Sequence, residues 1–237
     1  MAEFEIQESE YQRWVKITLM NETVRAEAGA LSYMRGMIEV VAPLPSLGHA
    51  IKCKIADEPL IRPRYTGTGD VYLTSTFGGY HVFEVHDEPW ILESGSYWAS
   101  DDSVQLGLHR ERMFTSFRAG EGFIDFQTKV SGRGRVVLNA AGPVEEIDLG
   151  SETISVEGKL VIARSAGVTY RVGNPTRSMF SYWLSGEEYV RRYTGPGRIL
   201  LVSTPYFNWR MAAEANLTQA MQPEAERRLQ KAALRSG

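Results

Sequence analysis

Three stretches of this 237-residue chain follow one pattern: Tyr65-Thr66-Gly67-Thr68-Gly69-Asp70-Val71-Tyr72-Leu73, Val130-Ser131-Gly132-Arg133-Gly134-Arg135-Val136-Val137-Leu138 and Tyr193-Thr194-Gly195-Pro196-Gly197-Arg198-Ile199-Leu200-Leu201. Their first glycines stand 65 and 63 residues apart. Two other markers recur in the same order. Gly29, Gly95 and Gly158, each preceded by an acid (Glu27, Glu93, Glu157), are spaced by 66 and 63. Ala56-Asp57-Glu58, Ala119-Gly120-Glu121 and Ser185-Gly186-Glu187 are spaced by 63 and 66. A fixed period of about 64 residues predicts three structural units that stack on one another, near 24–87, 88–152 and 153–210. Residues 1–210 then form one domain, and 211–237 a separate tail.

After each Gly-x-Gly the apolar residues fall at alternate positions: Val71 and Leu73, Val136 and Leu138, Ile199 and Leu201. That is the period of a strand. The residue between them is apolar too (Tyr72, Val137, Leu200), as suits a strand covered on both faces. Further β-rich runs at Tyr80–Val85, Ile154–Val161 and Val168–Val172 are punctuated by Gly, Pro, Asn and Asp. The expected fold is all-β, a prism or barrel-like stack related to double-stranded β-helices.

Gly67, Gly69, Gly132, Gly134, Gly195 and Gly197 read as structural turns, because glycine takes positive φ without steric cost. A dinucleotide cradle would need a third glycine and a following helix, whereas here a strand follows. The tail is rich in Ala, Glu, Leu, Gln and Arg, and Pro223-Glu224-Ala225-Glu226 resembles a helix start. It is expected to be helical, either packed on the β body or free to hold a protein partner.

Chemistry is sparse. The histidines are His49, His81, His86 and His109; a metal site of the cupin type would draw on them, but 81 and 86 lie five apart and would face opposite sides of one strand. Cys53 lies in an alternating run, Ile51-Lys52-Cys53-Lys54-Ile55, and reads as a small buried hydrophobe. As the sole cysteine it allows neither an internal disulfide nor a cysteine-rich zinc site. Glu93-Ser94-Gly95-Ser96 lacks the leading glycine of a nucleophile elbow. Neither catalysis nor a cofactor is expected.

Basic side chains recur beside the glycines, at Arg64, Lys129 and Arg192 before them and at Arg135 and Arg198 after them. Around an axis they would form a positive rim able to hold phosphates; equally, they are the charges that guard strand edges. With 26 basic and 29 acidic residues the net charge of −3 counts against broad capture of nucleic acid. No apolar run approaches a membrane span, and the start of the chain lacks the features of a signal or transit peptide, so a cytoplasmic location is expected.

The three Gly-x-Gly stretches, with Ala26-Glu27-Ala28-Gly29-Ala30 upstream and Ile147-Asp148-Leu149 before the third unit, resemble the altered inheritance of mitochondria protein 24 family over residues 24 to 204. The resemblance implies three β repeats arranged like subunits of the trp RNA-binding attenuation protein. It further implies three chains closing a homotrimeric ring, and no established catalytic activity. The third unit departs from the pattern, Val156-Glu157-Gly158-Lys159 being a residue short before the glycine. The expected role is a non-enzymatic scaffold or binding protein; the alternatives are a nucleic-acid-binding ring and a cupin-like metal enzyme.

Overall fold

Alternating apolar residues need a neighbouring strand on each edge and a covered face, and two long strands supply the frame on which the others are laid. They are β2 (Gln12–Ala26) and β9 (Ile124–Asn139). The structure, a computed structural model, describes residues 2–10, 12–42, 62–75, 78–112, 124–157, 160–173 and 190–202. These are all-β, with no helix among them. The expected C-terminal helix, His49 and Cys53 lie outside the described residues.

β2 is flanked by β1 (Glu3–Ser9) and by β4 (Arg64–Leu73), and β4 is in turn paired with β3 (Leu31–Val41). β9 changes neighbours along its length. Before Gly132 it lies between β6 (Trp90–Leu92) and β8 (Val104–Arg112); beyond it, between β5 (Tyr80–His86) and β7 (Tyr97–Asp101). The last strands divide the same work between two pieces. β14 (Val190–Thr194) pairs with β11 (Ile154–Glu157) and β13 (Thr169–Gly173), while β15 (Arg198–Leu201) pairs with β10 (Glu145–Asp148) and β12 (Val161–Ser165). Twelve strands make one open sheet, and β11, β14 and β13 a second.

Three register details recur. Single-residue bulges fall at Ser32, Trp98 and Ile162, between the pairs Leu31↔Leu73 and Tyr33↔Tyr72, Tyr97↔Leu138 and Ala99↔Val137, Val161↔Leu201 and Ala163↔Leu200. Hairpin bases close at Val41↔Arg64, Arg112↔Ile124 and Gly173↔Val190. A backbone bond from Thr74 to Ala30, from Asn139 to Ser96 and from Val202 to Leu160, at 2.7, 2.8 and 2.9 Å, ties each long strand back to the preceding turn.

The expected double-sided burial holds at Val136, Val137 and Leu138, all fully buried. One core gathers Val15, Ile17, Leu19, Val71, Leu73 and Ala99; another gathers Leu149, Val156, Val168, Tyr193 and Ile199.

The glycines require a correction. Gly67 and Gly69 lie inside β4, and Gly132 and Gly134 inside β9, rather than in turns before a strand; the pair Gly195 and Gly197 alone occupies a bend, between β14 and β15. Their use is close backbone approach. A Cβ on Gly69 (φ +148°) would collide with the Arg35 carbonyl oxygen, and Gly36 faces Gly69 directly across the ladder. Gly29 (φ +78°) has positive φ as well but open space around it. Gly69→Ala is therefore expected to cost more than the 1–3 kcal/mol or so of a strained backbone position, and Gly29→Ala no more than that. Urea denaturation of the two variants checks this; equal losses would remove close approach as the reason for the glycine.

Candidate functional site

Buried charge is the feature of this β body that hydrophobic patterning does not explain. Glu93, in the turn after β6, accepts hydrogen bonds from Arg191 of β14 and Gln127 of β9, both at 2.9 Å. All three are buried, and so is Arg164 of β12, which donates to the Val168 carbonyl oxygen. The two guanidiniums lie over the Tyr170 ring, at 4.9 Å for Arg191 and 5.4 Å for Arg164. Burial by itself would lower the Arg191 pKa, but the Glu93 carboxylate and the rings of Tyr193 and Tyr170 outweigh it and lift it above its ordinary value.

Glu93, Gln127, Arg164 and Tyr170 border a recess of about 10 Å³ with Ile91, Val161 and Tyr193. Small-molecule pockets run to roughly 300–1,000 Å³, so this space is too small for an organic substrate. Its chemistry is that of a buried ion pair at a strand junction. A related arrangement stands at Glu27, which pairs with Arg62 at 3.2 Å; Arg62 also reaches Thr128 and lies 4.7 Å over Tyr97. Burial, opposed by the Ser100 hydroxyl, pushes the Tyr97 phenol up to about 12.

The basic positions expected to form a rim are largely committed to carboxylates. Arg64 and Arg25 both bond Asp102, at 2.8 and 2.6 Å. Arg135 lies 3.6 Å from Glu84, and Arg198 holds Glu146 at 2.6 Å and Glu88 at 3.3 Å while covering the Trp90 ring. Lys129 is half-buried on β9, and Arg192 is exposed on β14. A guanidinium bonded to a carboxylate has less to offer a phosphate.

Among the described residues the histidines form no metal-binding cluster. His81 is half-buried on β5, with its pKa lowered by burial, and His86 ends the same strand 3.0 Å from Glu84. His109 lies on β8. Among the described residues no three His, Cys, Asp or Glu side chains cluster as metal ligands would. The Ser94 stretch is a tight turn closed by the Ser96 amide on the Glu93 carbonyl oxygen at 3.0 Å.

Sequence reading noticed Glu27 and Glu93 as repeat markers without seeing their role. The signal was the acid itself, two residues before a turn glycine; its partners Arg62, Gln127 and Arg191 come from distant parts of the chain and leave no local signature.

Comparison with known proteins gives a family and a fold. The family described as mitochondrial biogenesis AIM24 matches residues 4–204, and the chain belongs to it. An uncharacterised protein of Streptococcus pyogenes serotype M6, M6_Spy0233, is 25% identical over 138 residues, covering 58% of this chain and 55% of that protein. The match thus spans about half the length of that relative. The crystal structure of SPYM3_0169, also from Streptococcus pyogenes, superposes with a TM-score of 0.65 at 21% identity, over 91% of this chain and 100% of that one. It shares the fold.

Two outcomes are expected. Glu93→Ala leaves buried guanidiniums without their carboxylate and should cost about 3–5 kcal/mol in urea denaturation; a loss under 1 kcal/mol would mean the pair is not buried as described. Burial tends to raise the Asp102 pKa, but Arg25 and Arg64 override it and hold the carboxyl below its ordinary range. A depressed folded-state pKa stabilises above the unfolded value, near 4, and that stability is lost as pH falls through the folded value. Asp102→Asn should therefore flatten the acid limb of the stability curve below about pH 4.

Proposed function

We propose that this member of the AIM24 family is a non-enzymatic scaffold, built from three copies of one β unit and closing with two further copies of the chain into a cyclic homotrimer. The observation that carries it is the threefold recurrence of register: one bulge, one hairpin base and one strand-to-turn bond at each of three matching places. Unrelated strands have no reason to share a single-residue bulge at the same step of the ladder. On this reading the units begin at β2, β5 and β10, about 8 to 12 residues earlier than the sequence spacing alone would place them. That frame resembles the arrangement of the trp RNA-binding attenuation protein.

A stack of three such units has an open edge at each end, and copies of the same unit are the natural cover for it. The Glu93 recess is too small for a substrate, which favours a structural over a catalytic reading. The ion-paired rim favours a scaffold over a nucleic-acid ring. We place the protein in the cytoplasm, a reducing compartment in which a chain with one cysteine loses nothing. The C-terminal helix stands in this reading as the arm that holds a protein partner.

Native mass spectrometry tests the proposal. The expected species is three times 26.6 kDa, without the added mass of nucleic acid or metal. A monomer at micromolar concentration would overturn the ring, and retained RNA or stoichiometric metal would overturn the scaffold reading.

A further inference from the structure

Two strand junctions in this chain are the same junction, and its third instance is missing a partner. At the first, β7 lies antiparallel on β2 through Val24↔Asp101, Arg25↔Ser100 and Ala26↔Ala99. At the second, β12 lies on β6 through Trp90↔Ser165, Ile91↔Arg164 and Leu92↔Ala163. The flanking bonds match as well. The Glu27 amide donates to the Trp98 carbonyl oxygen at 2.7 Å and the Glu93 amide to that of Ile162 at 2.9 Å. At the other end Asp102 donates to Thr23 at 3.2 Å and Ala166 to Pro89 at 2.8 Å. In each junction the acceptor beside the acid is the bulged residue, whose carbonyl the bulge turns out of its own ladder.

Carrying the register forward places β11 where β2 and β6 stand, with Ile154, Ser155 and Val156 matching Trp90, Ile91 and Leu92, because Ile154 faces Tyr193 as Trp90 faces Val130. The same step places Tyr33, Met34 and Arg35 of β3 with Ala99, Ser100 and Asp101. Among the described residues β11 pairs only with β14 and β3 only with β4, so both of these edges are open.

Burial shows the consequence. Ala99 and Ser100 are 0% exposed and Ala163 is 1%, whereas Tyr33 is 52% and Met34 40% exposed. A strand edge that displays Tyr33, Met34 and, further along, Met37, Val40 and Val41 to water is one that proteins otherwise blunt or cover.

We infer that β11 of one chain pairs antiparallel with β3 of a second copy, through Ile154↔Arg35, Ser155↔Met34 and Val156↔Tyr33. The Gly36 amide of the second copy donates to the Thr153 carbonyl oxygen. The two edges differ, so the contact is head-to-tail, and it closes on itself only if the rotation per chain divides a full turn. The inference rests on the ring proposed above and specifies its joint.

Cross-linking tests it. In a Cys53→Ser background, Met34→Cys and Ser155→Cys combined in one chain should form an intermolecular disulfide on mild oxidation, giving covalent oligomers on a non-reducing gel. Either cysteine alone, or Ser155→Cys with Met37→Cys, should give none. A native trimer that fails to cross-link at 34 and 155 overturns this joint and leaves the ring standing; a native monomer overturns both. Should the double variant not fold, hydrogen exchange on the wild-type oligomer reads the same joint. The Gly36 amide is expected to be protected, and its fast exchange in an intact oligomer would overturn the inference.

Discussion

Every strand edge in this protein carries backbone donors and acceptors that must be met, and the architecture is a sequence of answers to that demand. One answer, used twice, is a short antiparallel contact made between β2 and β7 and again between β6 and β12. Each instance is anchored by a bulge. At Trp98 and Ile162 the extra residue turns a carbonyl oxygen outward, and the amide of an acidic residue in the adjoining turn takes it up. The bulges are therefore the fittings by which one group of strands is attached to the next.

Charge follows the same geometry. The side chains of Glu27 and Glu93, whose amides make those bonds, reach the guanidiniums of Arg62, just before β4, and Arg191 of β14. A buried carboxylate is tolerable only with such a partner, and the partner comes from another part of the chain. A strand group displaced from its neighbour would leave a charge in an apolar interior as well as unmet amides. Docking the groups correctly and satisfying these charges are one event.

The sequence disclosed the β class, the alternation at Val136 to Leu138 and the recurring glycines, because each is a local pattern. It misjudged what the glycines are for. Gly67 and Gly69 look like turn residues because positive φ is what glycine permits; the close approach of the Arg35 carbonyl comes from β3, which nothing near residue 69 reveals. The pairing of the basic side chains is hidden for the same reason. Arg64 is paired by Asp102, 38 residues away, and Arg198 by Glu88, 110 residues away. Glu93 was visible as a marker, but Gln127 and Arg191 reach it from distant strands, so the ion pair is a property of the fold and not of any segment.

The hairpin bases at Val41↔Arg64, Arg112↔Ile124 and Gly173↔Val190 have one more consequence. They enclose 22, 11 and 16 residues respectively, so three closed hairpin bases already carry connections that differ twofold in length. Once the base of a hairpin is closed, doubling the connection adds only about 0.6 kcal/mol of closure entropy. Selection can thus lengthen, shorten or rewrite these connections one at a time while the ladder beneath keeps its register. New specificity in this family is cheapest to evolve there, on a frame that does not register the change.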